Sequence, residues 1–293
     1  MNAEFKKSEK ICIWIIFTVM GLLALSIMLP VFWAIYASFK GRLDYAFDPV
    51  SFPKKMMWEN YVKIYEHLKV SVTTESGQKQ VDFAGMFTNS VVYSSLESLM
   101  SVLMPGVLGY IVAMYRFKGR EFIQGLNVFI MTIPIITSLA ASLRVLKNFG
   151  IYDNMLLYVF TQNGAFGFNF LLFYGAFKGL SWTYAEAAFL DGAGHFKVMV
   201  KIMWPMMLPT FAMMFVLSFV NSWNTYETFL IYLPSFPNLF LGMYYYQNSA
   251  SINYATPPEI LAGLILVAIP SGILYASSQK LLRSRFIIGG IKG

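Results

Sequence analysis

Six long stretches of this sequence carry almost no charge, and they limit what the chain can fold into. The first, Ile11 to Phe39, contains no Asp, Glu, Lys or Arg. A helix that crosses the hydrocarbon core of a bilayer needs about 20 mostly apolar residues, and each stretch is long enough. We therefore predict an all-α integral membrane protein with six transmembrane helices. The predicted spans are about 11–39, 84–115, 122–145, 155–177, 203–228 and 259–280.

The overall composition agrees with a membrane protein. Of the 293 residues, 13% are charged, whereas soluble domains carry about 25%. We read residues 1–293 as one transmembrane domain. The single cysteine, Cys12, excludes an intramolecular disulfide, and His67 and His195 lie far apart with no cysteine beside them. No metal site is expected from such a set.

The basic residues predict the orientation of the chain in the membrane. Lys and Arg gather in short cytoplasmic loops, and here they gather before the first span, at 116–120, at 178–201 and after the last span. Both termini are therefore predicted to be cytoplasmic, with an external loop at 40–83 and a cytoplasmic loop at 178–202. The net charge of +7 is thus explained by topology, and no nucleic acid partner is expected.

A further uncharged stretch, Thr228–Pro258, differs from the six spans. Pro234, Pro237 and a Gln/Asn/Ser tract interrupt it. We expect residues 229–257 to form an aromatic external loop that grazes the lipid, with a re-entrant segment as the alternative.

The cytoplasmic loop contains a mildly polar insert, EAAFLDGAGHFKVMVKIMWPMMLP at 186–209. Thr183 and Glu186 fit the S/T-x-x-E capping box that begins helices. Ala-rich YAEAAFL favours a helix, and Asp191-Gly192 predicts its end, because glycine readily adopts the left-handed conformation. Either this short helix lies on the membrane surface without a partner, or its small residues let another protein approach closely.

The same residues carry a resemblance to a known family. Glu186-Ala187-Ala188 and Asp191-Gly192-Ala193, followed by Ile202, Pro205 and Pro209, resemble the EAA loop of ABC-importer permease subunits. In that family the loop forms a coupling helix that docks into a groove on a cytoplasmic ATPase subunit. The resemblance therefore implies an ATPase-coupling role for Glu186, Ala187, Ala188, Asp191, Gly192 and Ala193. Ser181 departs from the family, since many relatives have proline ahead of the motif.

The rest of the chain resembles the carbohydrate branch of these permeases. The six spans, the long first external loop, the segment FVNSWNTYETFLIYL and the ending GGIKG are similar to the shorter of two paired permeases in maltose-type importers. This resemblance implies a bacterial inner or plasma membrane and sugar import. The implied partners are a second homologous permease, two cytoplasmic ATPase subunits and an extracytoplasmic solute-binding protein.

The sequence contains no energy-converting site of its own. A P-loop needs GxxxxGK[ST], and the dipeptide Gly-Lys does not occur in the chain. No GxSxG or HExxH motif is present either. We expect no catalytic residue and no cofactor on this chain, with ATP and Mg bound by partner subunits.

Polar residues in the fifth predicted span are candidates for lining a substrate path. They are Asn221, Trp223, Asn224, Tyr226 and Glu227. Polar side chains inside a membrane usually face a wet cavity or the bundle interior, although they also hydrogen-bond neighbouring helices. On one continuous helix Trp223 and Glu227 would share a face, as would Asn221 and Asn224.

Glu97 is the one charged residue inside the second predicted span. It fits a proton relay or a hydrogen-bonded helix interface, and we favour the interface. Asn163-Gly164 and Gly167 predict a break or a late start of the fourth span. The alternatives to sugar import are the same machinery with another solute, a proton-coupled carrier that uses Glu97 or Glu227, and a non-transporting scaffold. A carrier of that kind is often built from repeat halves, and the sequence shows none.

Overall fold

The computed structural model of the protein describes residues 7–74, 77–133, 139–248 and 255–283, and most of them are helical. The helices are α1 (Lys7–Ala37), α2 (Arg42–Phe47), α3 (Glu59–His67), α4 (Phe83–Met114), α5 (Arg120–Thr132), α6 (Leu139–Asn148), α7 (Met155–Gln162), α8 (Phe168–Lys178), α9 (Thr183–Leu190), α10 (His195–Val198), α11 (Trp204–Met206), α12 (Leu208–Trp223), α13 (Glu227–Ile231), α14 (Leu239–Asn248) and α15 (Pro257–Arg283). A π-helix, Met199–Met203, joins α10 to α11.

Three helices among the described residues are long and apolar enough to cross a membrane: Glu9–Ala37, Phe83–Met114 and Pro257–Gln279. A fourth span is counted if the bent pair His195–Met206 and Leu208–Trp223 is taken as one. The predicted third and fourth spans are instead divided into α5 with α6 and α7 with α8. The count of six spans therefore stays a prediction.

The prediction of an all-α chain is wrong at 70–81. There the loop between α1 and α4 forms an antiparallel hairpin of β1 (Val70–Thr74) and β2 (Gly77–Val81), with Val70 opposite Val81. Val70 and Val72 are buried, and this alternation of valine with polar residues is the period-2 pattern of a half-buried strand. The loop also carries α3, as its apolar spacing suggests.

The described residues divide into two compact units. The first comprises Met1–Leu68 and Tyr245–Ala268, and the second comprises Lys69–Tyr244 and Ile269–Gly293. In the first unit, Asn60 Nδ2 donates to the carbonyls of Ser38 (2.7 Å) and Lys40 (2.9 Å). These two bonds fix α3 to the backbone that follows α1. Lys63 also pairs with Glu259 at 2.9 Å.

In the second unit, α4 is the helix on which α8 and α12 pack. Its first turn is capped by Asp82, whose carboxylate accepts from the Gly85 N–H at 2.9 Å. Two glycines let the neighbours come close. A Cβ at Gly106 would lie 2.6 Å from the Phe211 ring, and one at Gly109 would lie 2.8 Å from Phe173 Cβ. Membrane helices approach closely at such small residues.

The segment after α12 packs into the second unit rather than grazing the lipid. Phe229, Leu233 and Leu241 are fully or almost fully buried and share a core cluster with Tyr93 of α4. The prediction of a lipid-grazing loop is wrong for these residues. Their apolar side chains fill the space beside α4 and α7, and α14 is too short to span a membrane alone.

Gly109→Ala tests the close approach of α4 to α8. The added methyl would also lie 3.0 Å from the Tyr174 backbone nitrogen, which cannot swing away as a side chain can. We expect a loss of about 1–3 kcal/mol, measured as a lower midpoint of thermal unfolding in detergent. Gly175→Ala on α8 is the control, because a Cβ there meets nothing within 4 Å. Equal midpoints for the two variants would contradict the packing argument.

Candidate functional site

The helix α9 begins differently from the predicted capping box. Thr183 is already its first helical residue, and its backbone N–H is directed at Ser181 Oγ, 3.3 Å away. Ser181 Oγ also donates to Thr183 Oγ1 at 2.9 Å. The capping box of Thr183 and Glu186 is therefore wrong, because Trp182 is the N-cap of α9 and no side chain caps the helix.

The end of α9 is where the sequence predicts it. Asp191 is the C-cap, and Gly192 follows with a φ of +77°. The Gly192 N–H donates to Phe189 O at 3.0 Å, and the Ala193 N–H donates to Ala188 O at 2.9 Å. This pair of bonds is the Schellman motif, which needs a left-handed residue at the position of Gly192.

One face of α9 is anchored and the opposite face is free. Ala185 and Ala188 are buried in the same core cluster as Tyr110, Phe177 and Phe211. Glu186, Ala187, Asp191 and Gly192 are exposed. Leu190 is 89% exposed, and Phe196, the second residue of α10, is 74% exposed. Alanine at the buried positions allows the backbone of α9 to lie close to the bundle.

A basic cavity of about 610 Å³ adjoins α9. Glu186 lines it together with Arg116, Arg120 and Lys178. No described carboxylate pairs with these three cations: the Lys178 ammonium lies 5.5 Å from the Tyr174 ring, and Arg120 donates to the Tyr115 carbonyl at 3.4 Å. The positive-inside pattern accounts for these basic residues in the sequence, but their proximity to Glu186 becomes visible only in the fold.

The connection from α9 to α12 contains a sharp bend. The helical piece His195–Met206 meets Leu208–Trp223 at 74°. Pro205 and Pro209 lie on either side of the bend, and neither can donate a backbone hydrogen bond to the preceding turn. The π-helix Met199–Met203 lies directly before it. Loss of these donors explains why the predicted fifth span is not one straight helix.

A second, polar cavity of about 220 Å³ lies at the opposite end of α12. It is lined by Tyr93, Glu97, Tyr158, Val159, Gln162, Asn163, Asn221, Ser222, Thr225 and Thr228. The Ser222 hydroxyl donates to Glu97 Oε2. This bond joins α4 to α12 and agrees with the interface reading of Glu97. The predicted break of the fourth span, which falls between Gln162 and Phe168, contributes to the lining.

The five candidate path residues do not lie together. Asn221 lines the polar cavity, and Asn224 and Glu227 are exposed. Tyr226 stacks on Tyr244 with ring centroids 4.7 Å apart, and Trp223 is 1% exposed. Since α12 ends at Trp223 and Glu227 begins α13, the premise of one continuous helix is wrong. Their roles in a path stay predictions.

Several cavity residues could not be found from the sequence alone. Tyr93 lies in α4, Tyr158 and Gln162 lie in α7, and Thr228 lies in α13, so only the folded chain brings them together. A signal was present in Asn163 and Gly167, which mark a broken span. Among the described residues no group of three or more His, Cys, Asp or Glu is placed to hold a metal ion.

Trp223→Ala distinguishes a packing role from a path role. The Trp223 ring packs edge-to-face on Phe87 (6.0 Å) and parallel to Phe219 (5.7 Å). We expect a loss of stability at or below the roughly 3–5 kcal/mol typical of soluble cores, because lipid removes part of the transfer term. The readout is thermal unfolding in detergent, with exposed Asn224→Ala as the control of unchanged stability. An unchanged midpoint for Trp223→Ala would contradict the packing role.

Comparison with known proteins places these features in a family. Residues 106–288 match the family described as binding-protein-dependent transport system inner membrane component. The chain is 26% identical over 275 residues to the inner membrane ABC transporter permease protein YcjP of Escherichia coli, covering 91% of both chains. It is 27% identical over 297 residues to the arabinooligosaccharides transport system permease protein AraQ of Halalkalibacterium halodurans, covering 98% of this chain and 99% of the relative.

The fold is similar to a solved structure as well. A crystal structure of a bacterial ABC transporter involved in the import of the acidic polysaccharide alginate matches with a TM-score of 0.76 at 19% identity, covering 95% of this chain and 99% of that one. The family match covers well over half of the sequence and includes α9, the bend and α12. The chain therefore belongs to the family of binding-protein-dependent transport system inner membrane components.

Proposed function

We propose that this chain is the permease subunit of an ATP-driven importer and forms half of the translocation pathway for an oligosaccharide or related sugar. The observation that carries the proposal is the anchored and exposed helix α9. Its buried alanines hold it against the bundle, while Leu190 and Phe196 are left exposed. Apolar side chains that are exposed beside a membrane surface suit a partner protein. The partner implied by the EAA resemblance is a cytoplasmic ATPase subunit.

The proposed cargo class is supported by the relatives. The name of the relative AraQ specifies arabinooligosaccharides. The name of another relative, the permease protein NgcG of Streptomyces coelicolor, specifies diacetylchitobiose. A related structure is described as a bacterial alginate ABC transporter in complex with an alginate pentasaccharide-bound periplasmic protein. From these relatives we infer two features for this chain: its cargo is an oligomeric sugar, and an extracytoplasmic binding protein delivers that cargo.

The proposed topology has six spans. They are α1, α4, the pair α5 and α6, the pair α7 and α8, the bent segment ending in α12, and α15. In this arrangement α9 lies on the cytoplasmic side of a bacterial inner or plasma membrane, between the fourth and fifth spans, and both termini are cytoplasmic. Arg116, Lys118, Arg120 and Lys178 then lie on the same side as α9, which the positive-inside rule favours.

The proposed mechanism follows from how α9 is attached. ATP would close a pair of ATPase subunits, and the groove that holds α9 would move with them. Since α9 shares a core cluster with α8 and α12, its displacement would be transmitted to those helices. The pathway, completed by a second permease, would then turn from inward-facing to outward-facing. Such coupling requires that α9 make different contacts in the two states.

Affinity purification of the chain from its own cells in mild detergent tests the assembly. We expect an ATPase with a P-loop and a second permease to copurify. After reconstitution with the binding protein, neutral oligosaccharides should be taken up only with ATP. Purification of the chain alone, or uptake that survives ATP depletion and stops when the proton gradient is removed, would contradict the importer and favour a proton-coupled carrier.

Gly192→Ser and Gly194→Ser form a matched test of docking. At both positions a Cβ meets nothing within 4 Å, but the φ of Gly192 is +77° and that of Gly194 is −75°. Serine at 192 is strained by about 1–2 kcal/mol, whereas serine suits Gly194 as an N-cap. We expect the amount of copurified ATPase to fall roughly 5- to 30-fold for Gly192→Ser.

The same preparations supply the control for this pair. Gel filtration and helical circular dichroism should match the original protein for both variants, because the loop lies outside the spans. Equal ATPase recovery from Gly192→Ser and Gly194→Ser would rule out a docking role that depends on the end of α9.

A further inference from the structure

Interrupted backbone meets an intact helix at the polar cavity. α7 ends at Gln162, α12 ends at Trp223 and α13 begins at Glu227, while Glu97 lies within the continuous α4. At membrane depth, non-helical backbone is tolerated where it is buried in protein or lines a water-filled cavity. Broken helices of this kind form substrate sites in many transporters. The location of the breaks thus favours a hydrated ligand site.

The cavity also presents unused hydrogen-bonding groups. Glu97 Oε2 accepts from Ser222, and Oε1 accepts no hydrogen bond from any described residue. Asn163 Nδ2 is engaged with Val159 O at 2.9 Å. The side-chain amides of Gln162 and Asn221 have no partner among the described residues, and both residues line the cavity and are exposed. A ligand rich in donors and acceptors would satisfy these groups.

Two tyrosines are held in place at the cavity wall. The Tyr93 ring packs edge-to-face on Phe229 at 4.7 Å, and the Tyr158 ring stacks on Tyr232 at 5.5 Å. Packing therefore orients the two phenols before any ligand arrives, which reduces the entropy lost on binding.

The charge of the lining selects among ligands. Glu97 is its one acidic residue, and no Lys, Arg or His lines the cavity. A divalent cation would need several oxygen ligands and more than one carboxylate. A proton relay would need a second acid or a histidine beside Glu97. An anionic sugar would be repelled by the carboxylate, whereas neutral sugar hydroxyls would donate to it in charge-assisted hydrogen bonds.

The volume limits the ligand to one ring at a time. One water molecule takes up about 30 Å³ in liquid water. A cavity of 220 Å³ therefore has room for roughly seven water molecules. That is room for one monosaccharide unit and not for a whole oligosaccharide. Successive units of a chain would have to pass through it one after another.

We propose that the cavity between α4, α7 and α12 is a binding site for a single neutral sugar ring, with Glu97 Oε1, Asn221 and Gln162 as its hydrogen-bonding groups. The proposal rests on the proposed importer function and adds to it the charge class of the cargo. Glu97 then discriminates against uronic acid units through charge repulsion.

Reconstituted uptake tests the site. The assembled complex and binding protein are assayed in proteoliposomes with diacetylchitobiose, arabinotriose, raffinose and an alginate trisaccharide. For Glu97→Gln and Glu97→Ala, we expect the neutral sugar imported per ATP hydrolysed to fall roughly tenfold or more, since a hydrogen bond to a charged group is lost. Discrimination against the acidic trisaccharide should weaken. The control Glu121→Gln removes a carboxylate from the start of α5, away from the cavity, and should leave uptake unchanged.

Protection from labelling gives a second measurement that does not depend on how Glu97 variants fold. Asn221→Cys is placed in a Cys12→Ser background, because Cys12 is exposed. Saturating neutral sugar should slow the reaction of the new thiol with a methanethiosulfonate reagent at least fivefold, and alginate trisaccharide should not.

The outcomes separate this site from the importer function. If the unmodified complex imports none of the sugars, the proposed function fails and the site fails with it. If it imports neutral sugar while Glu97→Ala imports as much per ATP, or the Asn221→Cys thiol is not protected, the site alone is overturned. Loss of uptake together with loss of assembly for both Glu97 variants, without thiol protection, assigns Glu97 a structural role. A requirement for sodium in place of choline would indicate a cation site and would overturn the sugar assignment.

Discussion

The close approach of α4 to its neighbours at Gly106 and Gly109 is the contact on which the second unit depends. Helices in lipid gain no hydrophobic free energy when they associate, so close packing must supply the favourable free energy of association. At Gly106 the ring of Phe211 lies against the backbone, and at Gly109 the backbone of α8 does. Phe173 and Phe211 belong to the cluster that buries Ala185 and Ala188 of α9. The position of the exposed helix is therefore set by a helix crossing well removed from it in sequence.

Polar groups in the second unit follow a different rule from the apolar core. The hydroxyls of Ser90 and Ser98 donate to backbone carbonyls one turn earlier in α4. Burying these hydroxyls in an apolar setting therefore costs little free energy. Glu97 lies between them and cannot do the same. Its partner comes from α12, and the space beside it is bordered by helix ends, where backbone and amide groups are available. A half-buried carboxylate and interrupted helices thus occur together for one physical reason, the need for hydration or a polar ligand.

Local features of the structure could be predicted from the sequence, and features that join distant segments could not. The end of α9 at Asp191-Gly192 follows from glycine's conformational freedom, and the break at Asn163–Gly167 follows from residues that favour loops. Thr183 and Glu186 predict a capping box at the start of α9, but in the structure Trp182 is the N-cap and the Thr183 N–H is directed at Ser181 Oγ. The cavity around Glu97 needs contributions from four helices, α4, α7, α12 and α13. Hydropathy alone cannot place them side by side, nor can it show that the path candidate Trp223 is buried.

The 74° bend before α12 joins the helical piece His195–Met206 to α12 at nearly a right angle. In such a geometry, rotation of the first helical piece about its own axis displaces the far end of α12 sideways. Pro205 and Pro209 leave carbonyls of the preceding turn without their usual donors, so the joint resists torsion less than an unbroken helix does. A small twist of the helical piece His195–Met206 therefore becomes a larger lateral displacement at Asn221, at the far end of α12.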